Sequence, residues 1–140
     1  MREIIAQRQE YRNKIGNLGE QYVLAQERAK LAGTEYADSV RDYSDDPSTH
    51  FDILSYTKYG DPIYIEVKTT NSSRPDTAFY MSQEEIDAAW EFFVTDQIYE
   101  IHRVYNIGGE IDRLIFSAAW LFKEYDFEPN TFAVRPKRTR

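Results

Sequence analysis

Glu66 and Lys68 stand two positions apart in the run Ile63-Tyr64-Ile65-Glu66-Val67-Lys68-Thr69. On a strand that step puts both side chains on one face. A second acid, Asp52, begins the preceding apolar run, and the turn residues Lys58-Tyr59-Gly60-Asp61-Pro62 bring the two runs together as a hairpin. Two carboxylates and an ammonium at one sheet edge, with the Val67 carbonyl beside them, can hold one or two hard cations. A cation held there polarises a phosphoryl oxygen and lowers the pKa of a bound water. Lys68 can position that water and stabilise negative charge in the transition state. Without Asp52, Glu66 and Lys68 would be a same-face ion pair worth about 0–1 kcal/mol.

These residues need a sheet, and the rest of the chain supplies the signals for one. Residues 3–14 are polar helix formers and predict a peripheral helix. Asn17 has the character of an N-cap, with Glu20 three positions on, close to a capping box. Leu18, Tyr22, Ala25, Ala29 and Ala32 then recur at helical steps up to a stop at Gly33. A short strand is expected around Val40, then a loop at Ser44-Asp45-Asp46-Pro47-Ser48. Strands follow at residues 51–56 and 63–69; in the second, Ile63, Ile65 and Val67 face one way, Tyr64, Glu66 and Lys68 the other. Ser82 and Glu85 form a second capping box, opening a helix through Ala88, Trp90, Phe93 and Val94. Residues 99–105 and 112–117 read as strands joined by Asn106-Ile107-Gly108-Gly109, and a short helix and a last strand near 132–134 complete the chain. The order implies an α/β fold, a central mixed β-sheet flanked by helices (α-β-β-β-α-β).

Asp52, a fourteen-residue step, and then Glu66-Val67-Lys68 resembles the PD-(D/E)xK motif of restriction-endonuclease-like nucleases. The ordered set Gly19-Glu20-x-x-Val23, His50-Phe51-Asp52-Ile53, Ile65-Glu66-Val67-Lys68-Thr69-Thr70, Phe79-x-Met81-Ser82-x-x-Glu85 and Tyr99-x-Ile101-x-Arg103-Val104 resembles the "protein NO VEIN, C-terminal" domain family, a restriction-endonuclease-like group often attached to helicases and restriction factors. The resemblance implies a restriction-endonuclease-like core at about 16–118 with a C-terminal extension at 119–140. It also implies a metal-dependent DNA endonuclease serving restriction, defence or repair, with Mg²⁺ or Mn²⁺ held by Asp52, Glu66 and the Val67 carbonyl. Lys68 would assist the water, and Glu20 would reach the site from the first helix. Other domains of this fold are non-catalytic binding or assembly modules, and that alternative stays open.

With 140 residues the chain suits one domain. It has no cysteine, which excludes disulfides and thiolate metal sites and leaves hard oxygen-loving cations. A net charge of -7 opposes an unaided grip on a polyanion. DNA is therefore expected to arrive with the help of a partner or a fused domain, and a homodimer would supply a second centre for the second strand. The same acidity fits a third possibility, a regulatory α/β domain that recruits a basic partner. No run approaches the roughly 20 apolar residues of a membrane span, so a soluble, cytoplasmic protein is expected. Asp45, Asp46 and Asp61 read as turn residues, His50 as a strand-start polar residue and His102 as structural. Thr69, Thr70, Asn71 and Ser73 suit either phosphate contacts or a strand end. Arg74, Arg103 and Lys58 are candidate backbone contacts, Trp90, Phe92 and Phe93 candidate core, and the four basic residues of 135–140 a solvated tail.

Overall fold

Alternation in the strand Pro62–Thr69 sorts its side chains between two apolar layers, and the sheet is built around it. The computed structural model describes residues 2–130 and 134–137. In chain order the elements are α1 (Arg2–Lys30), a 3-10 turn (Ala37–Ser39), β1 (Arg41–Asp42), β2 (Ile53–Tyr56), β3 (Pro62–Thr69), α2 (Gln83–Val94), β4 (Ile98–Tyr105), β5 (Asp112–Ser117) and α3 (Ala118–Glu124). The strands form one sheet in the order β1-β2-β3-β4-β5. β3 and β4 run parallel, joined by the α2 crossover; the other neighbours are antiparallel. This is an α/β fold with a mixed sheet, in keeping with a restriction-endonuclease-like core. Among the described residues no helix is long and apolar enough to cross a membrane.

On one face Ile53, Ile63, Ile65 and Val67 meet Val23 and Leu24 of α1 and Leu31 just past its end. On the other, Tyr99, Ile101 and Phe116 meet Ala89 of α2 and Leu121 of α3. The α2 start obeys its sequence: the Ser82 hydroxyl accepts from the Glu85 N–H, and Glu85 accepts from the Ser82 N–H. Gly60, at φ +91°, makes the β2–β3 turn.

Three expectations need correcting. The first helix does not break at Asn17, which lies inside α1 and caps nothing. Two glycines and two asparagines inside a run of good helix formers cost roughly 3 kcal/mol in all, less than the packing gained downstream. The buried stripe of α1 is Gly19, Val23, Leu24 and Glu27, continued by Leu31 just past its end; Leu18, Ala25, Ala29 and Ala32 are exposed. Trp90 and Phe93 are 50% and 40% exposed rather than core, because α2 turns Ala89 and Phe92 inward. Phe92 stacks on Tyr64 at 4.5 Å and on Tyr99 at 5.4 Å between centroids. The strand expected near 132–134 falls largely outside the described residues; Val134 itself is exposed and outside regular structure.

Gly19 sets the rotation of α1. A Cβ there would lie 1.9 Å from Thr69 Oγ1 and 2.9 Å from both carbons of that side chain. Threonine branches at Cβ and cannot swing clear. Gly19→Ala is expected to lower stability by about 1–3 kcal/mol through overpacking. At Gly16 the nearest atom to an added Cβ is 4.0 Å away, so Gly16→Ala should raise stability by up to about 1 kcal/mol. Thermal unfolding of the two variants checks the opposite signs.

A polar network lies under α1. Glu27, 1% exposed, accepts from Ser55 at 2.8 Å, from Lys30 at 2.6 Å and from Arg113 at 2.8 Å. Arg113 reaches His102 Nδ1 at 3.1 Å, and His102 Nε2 meets Glu100 at 2.8 Å. His102 is thus a structural residue, as its place on the strand suggests.

Candidate active site

The backbone brings Asp52 to β3 before any side chain does. Its N–H donates to the Ile65 carbonyl at 2.8 Å, and its Oδ2 accepts from the Val67 N–H at 2.8 Å. Asp52 thereby sits beside Glu66, to which it is hydrogen-bonded through its side chain. Lys68 Nζ lies 3.6 Å from Glu66 Oε1. The three residues singled out by type and spacing therefore converge toward the carboxyl end of β3, away from the hairpin that joins residues 56 and 62. In open α/β sheets that end is where ligands commonly bind.

The sequence hid a fourth member. Glu85 had a complete local explanation in its capping box, yet its two oxygens also hold Lys68 Nζ at 3.2 and 3.1 Å, and its carboxyl bonds to that of Glu66. No sequence spacing signals this contact. It arises because the crossover lays α2 against β4, from where Glu85 in its first turn reaches Lys68 on β3.

Burial governs the charges. The rings of Phe51, Tyr64, Phe92 and Tyr99 form a dry wall beside the acids, with centroids of neighbours 4.5–5.4 Å apart. Glu66 is 4% exposed; desolvation, reinforced by the negative charge of Asp52, pushes its carboxyl up to about 10. Near neutral pH it keeps its proton and shares it with its neighbours. Asp52 is also raised by burial, although the Val67 N–H, Glu66 and Lys68 offset part of the rise. Glu85 feels the same upward push, but bonds from Glu66, Lys68 and Ser82 hold it below the ordinary carboxylate range. The Tyr99 hydroxyl is buried with no partner among the described residues, and it is raised by desolvation and by the charges of Glu66, Glu85 and Asp52.

Glu20 is within electrostatic reach of one member of this group, Asp52. With α1 continuous it has no capping role, and its carboxyl is pushed up to about 7, first by burial and then by the negative charges of Asp52, Asp42 and Asp45. The Ser44 hydroxyl, which bonds to Asp42 at 2.6 Å, relieves only part of this.

Buried acids outnumber the one lysine that touches them, and an orphaned hydroxyl faces them; such a donor set suits a hard cation. Among the described residues no three carboxylate or imidazole groups form a ready-made cage. The fit is to the kind of site in which one or two carboxylates and waters complete the coordination, as Mg²⁺ accepts.

The secondary candidates have other partners or are exposed. His50 is exposed. Thr69 packs on Gly19, and Asn71 donates to the Tyr11 hydroxyl at 2.8 Å. Arg74 pairs with Asp76 at 2.6 Å. Lys58 lies over Tyr59 at the far hairpin, and Arg103 is 3% exposed. Asp46 accepts from Ser48 in its turn, and Asp61 accepts from Thr57 in the β2–β3 hairpin.

No curated protein and no solved structure matches the chain. A family model does: the one described as "Protein NO VEIN, C-terminal" fits residues 19–116, a span that holds Glu20, Asp52, Glu66, Lys68 and Glu85 alike, and the chain belongs to that family.

Proposed function

We propose that this domain hydrolyses DNA phosphodiester bonds with a hard divalent cation, Mg²⁺ or Mn²⁺, at Asp52, Glu66 and Lys68. The observation that carries the reading is the convergence of these three at one end of β3, with Asp52 fixed by the Val67 N–H and Lys68 within 3.6 Å of Glu66. Asp52, Glu66 and the Val67 carbonyl would hold the cation, and Glu20 would complete the acidic surround. When bound, the cation supplies Lewis acidity toward a phosphoryl oxygen and lowers the pKa of a water. Lys68 would orient the attacking water and balance the negative charge that develops at the phosphoryl group. Glu85 is a positioning residue: through its two bonds to Lys68 it fixes where the ammonium points. The ring wall keeps bulk water away from the acids, which strengthens each of these interactions.

The net charge of -7 favours delivery of DNA by a partner or a fused domain. It also supports a second reading, a binding or assembly module of the same family without catalysis. Supercoiled plasmid and branched DNA incubated with the protein separate the two. Cleavage is expected with Mg²⁺ or Mn²⁺ and not in EDTA. Asp52→Ala and Lys68→Ala should each lose roughly 10²–10³-fold in rate, with the folded state retained by circular dichroism. Activity that survives in both variants removes this mechanism. Calorimetric titration with Mn²⁺ should give binding heat that Asp52→Ala abolishes.

A further inference from the structure

Beside the acid cluster, on the same face of the sheet, a cleft of about 660 Å³ opens between the segment that leads into α2 and the segment that leaves α3. Its volume is that of a site for a nucleoside-sized ligand. Phe79, Tyr80, Tyr125 and Phe127 supply rings to its walls; Asp126 and Glu128 make its rim acidic, while the third acid, Asp76, is paired with Arg74. Ser82 and Gln83 also line it; they start the helix turn whose Glu85 holds Lys68 at 3.1 Å.

Arg103 stiffens this cleft from behind. It pairs in register with Lys68 across the parallel strands, and its guanidinium lies 5.4 Å from the centre of the Phe79 ring. Its NH2 group donates to Thr77 Oγ1 at 3.0 Å and to the Thr77 and Ala78 carbonyls at 3.3 and 3.2 Å. The buried arginine thus ties the cleft wall to the strand beside the candidate site, and its Nε has no acceptor among the described residues.

We propose that this cleft receives an unpaired nucleobase of the strand whose phosphodiester lies at Asp52, Glu66 and Lys68, so that the chain acts on single-stranded or frayed DNA. The proposal rests on the hydrolytic reading of that cluster and names its substrate class. An acidic rim repels phosphate, so the backbone stays outside, whereas a neutral base can enter. Carboxylates accept hydrogen bonds from exocyclic amino groups of bases. Aromatic walls stack on any base, which gives affinity without the phosphate neutralisation that a chain of net charge -7 is poorly equipped to provide. A base held inside a continuous duplex could not reach the rings.

The test uses the full chain in EDTA, where binding is measured apart from cleavage. Fluorescence anisotropy follows a labelled single-stranded oligonucleotide and the same sequence as a duplex, with wild type and with Tyr80→Ala and Phe127→Ala, whose rings are 69% and 44% exposed. The single strand should bind more tightly than the duplex, and each variant should weaken it by about tenfold or more while duplex binding and melting temperature stay unchanged. Phe127 also stacks on Phe122; should its removal disturb folding, Tyr80→Ala decides alone. Equal losses for both DNA forms, unchanged binding in the variants, or no measurable affinity of wild type for the single strand each overturns the cleft. Cleavage by a Tyr80→Ala protein that still binds single strands normally would refute the cleft and spare the hydrolytic reading. Ring-dependent binding without cleavage in Mg²⁺ or Mn²⁺ would do the reverse.

Discussion

Glu66→Gln is expected to yield a protein that resists unfolding better than wild type and no longer cuts DNA. Burial and the charge of Asp52 raise the Glu66 carboxyl to about 10, so between its unfolded value near 4.5 and that point the folded chain holds a proton that the unfolded chain has released. The unfolded state then binds fewer protons, the slope of unfolding free energy with pH is negative, and stability falls as pH rises through this window. Glu20, raised to about 7, adds to the fall in the lower part of the range. A glutamine amide removes the titration and carries two N–H donors, enough for Asp52 and Glu85 together, where a protonated carboxyl has one. In EDTA at pH 8 the variant should gain about 2–4 kcal/mol, less than the full linkage value because the cluster relaxes as it ionises. Its melting temperature should vary less with pH than that of wild type. Mn²⁺ should raise the melting temperature of wild type, more at pH 8 than at pH 5, and leave the variant nearly unmoved. A variant that melts below wild type at pH 8 would show that Glu66 is not strained by its surroundings.

Glu27→Ala should be the most damaging single change to the fold, at about 3–5 kcal/mol, because it strands a largely buried arginine. Arg113 would lose its acid partner while still facing His102, and the Ser55 hydroxyl would lose its acceptor. Burial pushes the Glu27 carboxyl upward, yet bonds from Lys30, Ser55 and Arg113 leave it below its ordinary value. Its share of stability is therefore present above about pH 4.5 and disappears as pH falls through the lowered folded value. Denaturant unfolding at pH 7 gives the loss directly. Adding Arg113→Met to Glu27→Ala should recover much of it, since an apolar replacement of both partners leaves no buried charge unmatched. A loss below 1 kcal/mol would mean that water already reaches the network.

How much of this was legible in the chain depends on whether cause and effect lie close together in sequence. β3 was plain because strict alternation over seven residues has one reading, and α2 because both halves of its capping box fall within four residues. The alternation of β3, with the hairpin, was enough to expect Asp52 beside Glu66 and Lys68. α1 misled: Asn17 and Glu20 carry an N-cap pattern, but propensity is a weak prior, and the fit of Gly19 against Thr69, fifty residues away, fixed the buried face. Glu85 was legible only as a cap, since its bond to Lys68 depends on how the crossover lands. The Glu27 network joins residues from α1, β2, β4 and β5, and no local pattern announces it. Trp90 and Phe93 were judged by residue type, whereas the face of α2 that turns inward decides exposure.

α1 is an unbroken rod of 29 residues, roughly 43 Å long at 1.5 Å per residue. Its described side chains from Glu3 to Lys14 are exposed, while Glu20, farther along, feels the negative charge of Asp52. A straight helix transmits torque far better than a hinged one. Anything that grips its outer turns gains a lever arm, and twisting that arm would grind Gly19 against Thr69 and swing Glu20 relative to Asp52.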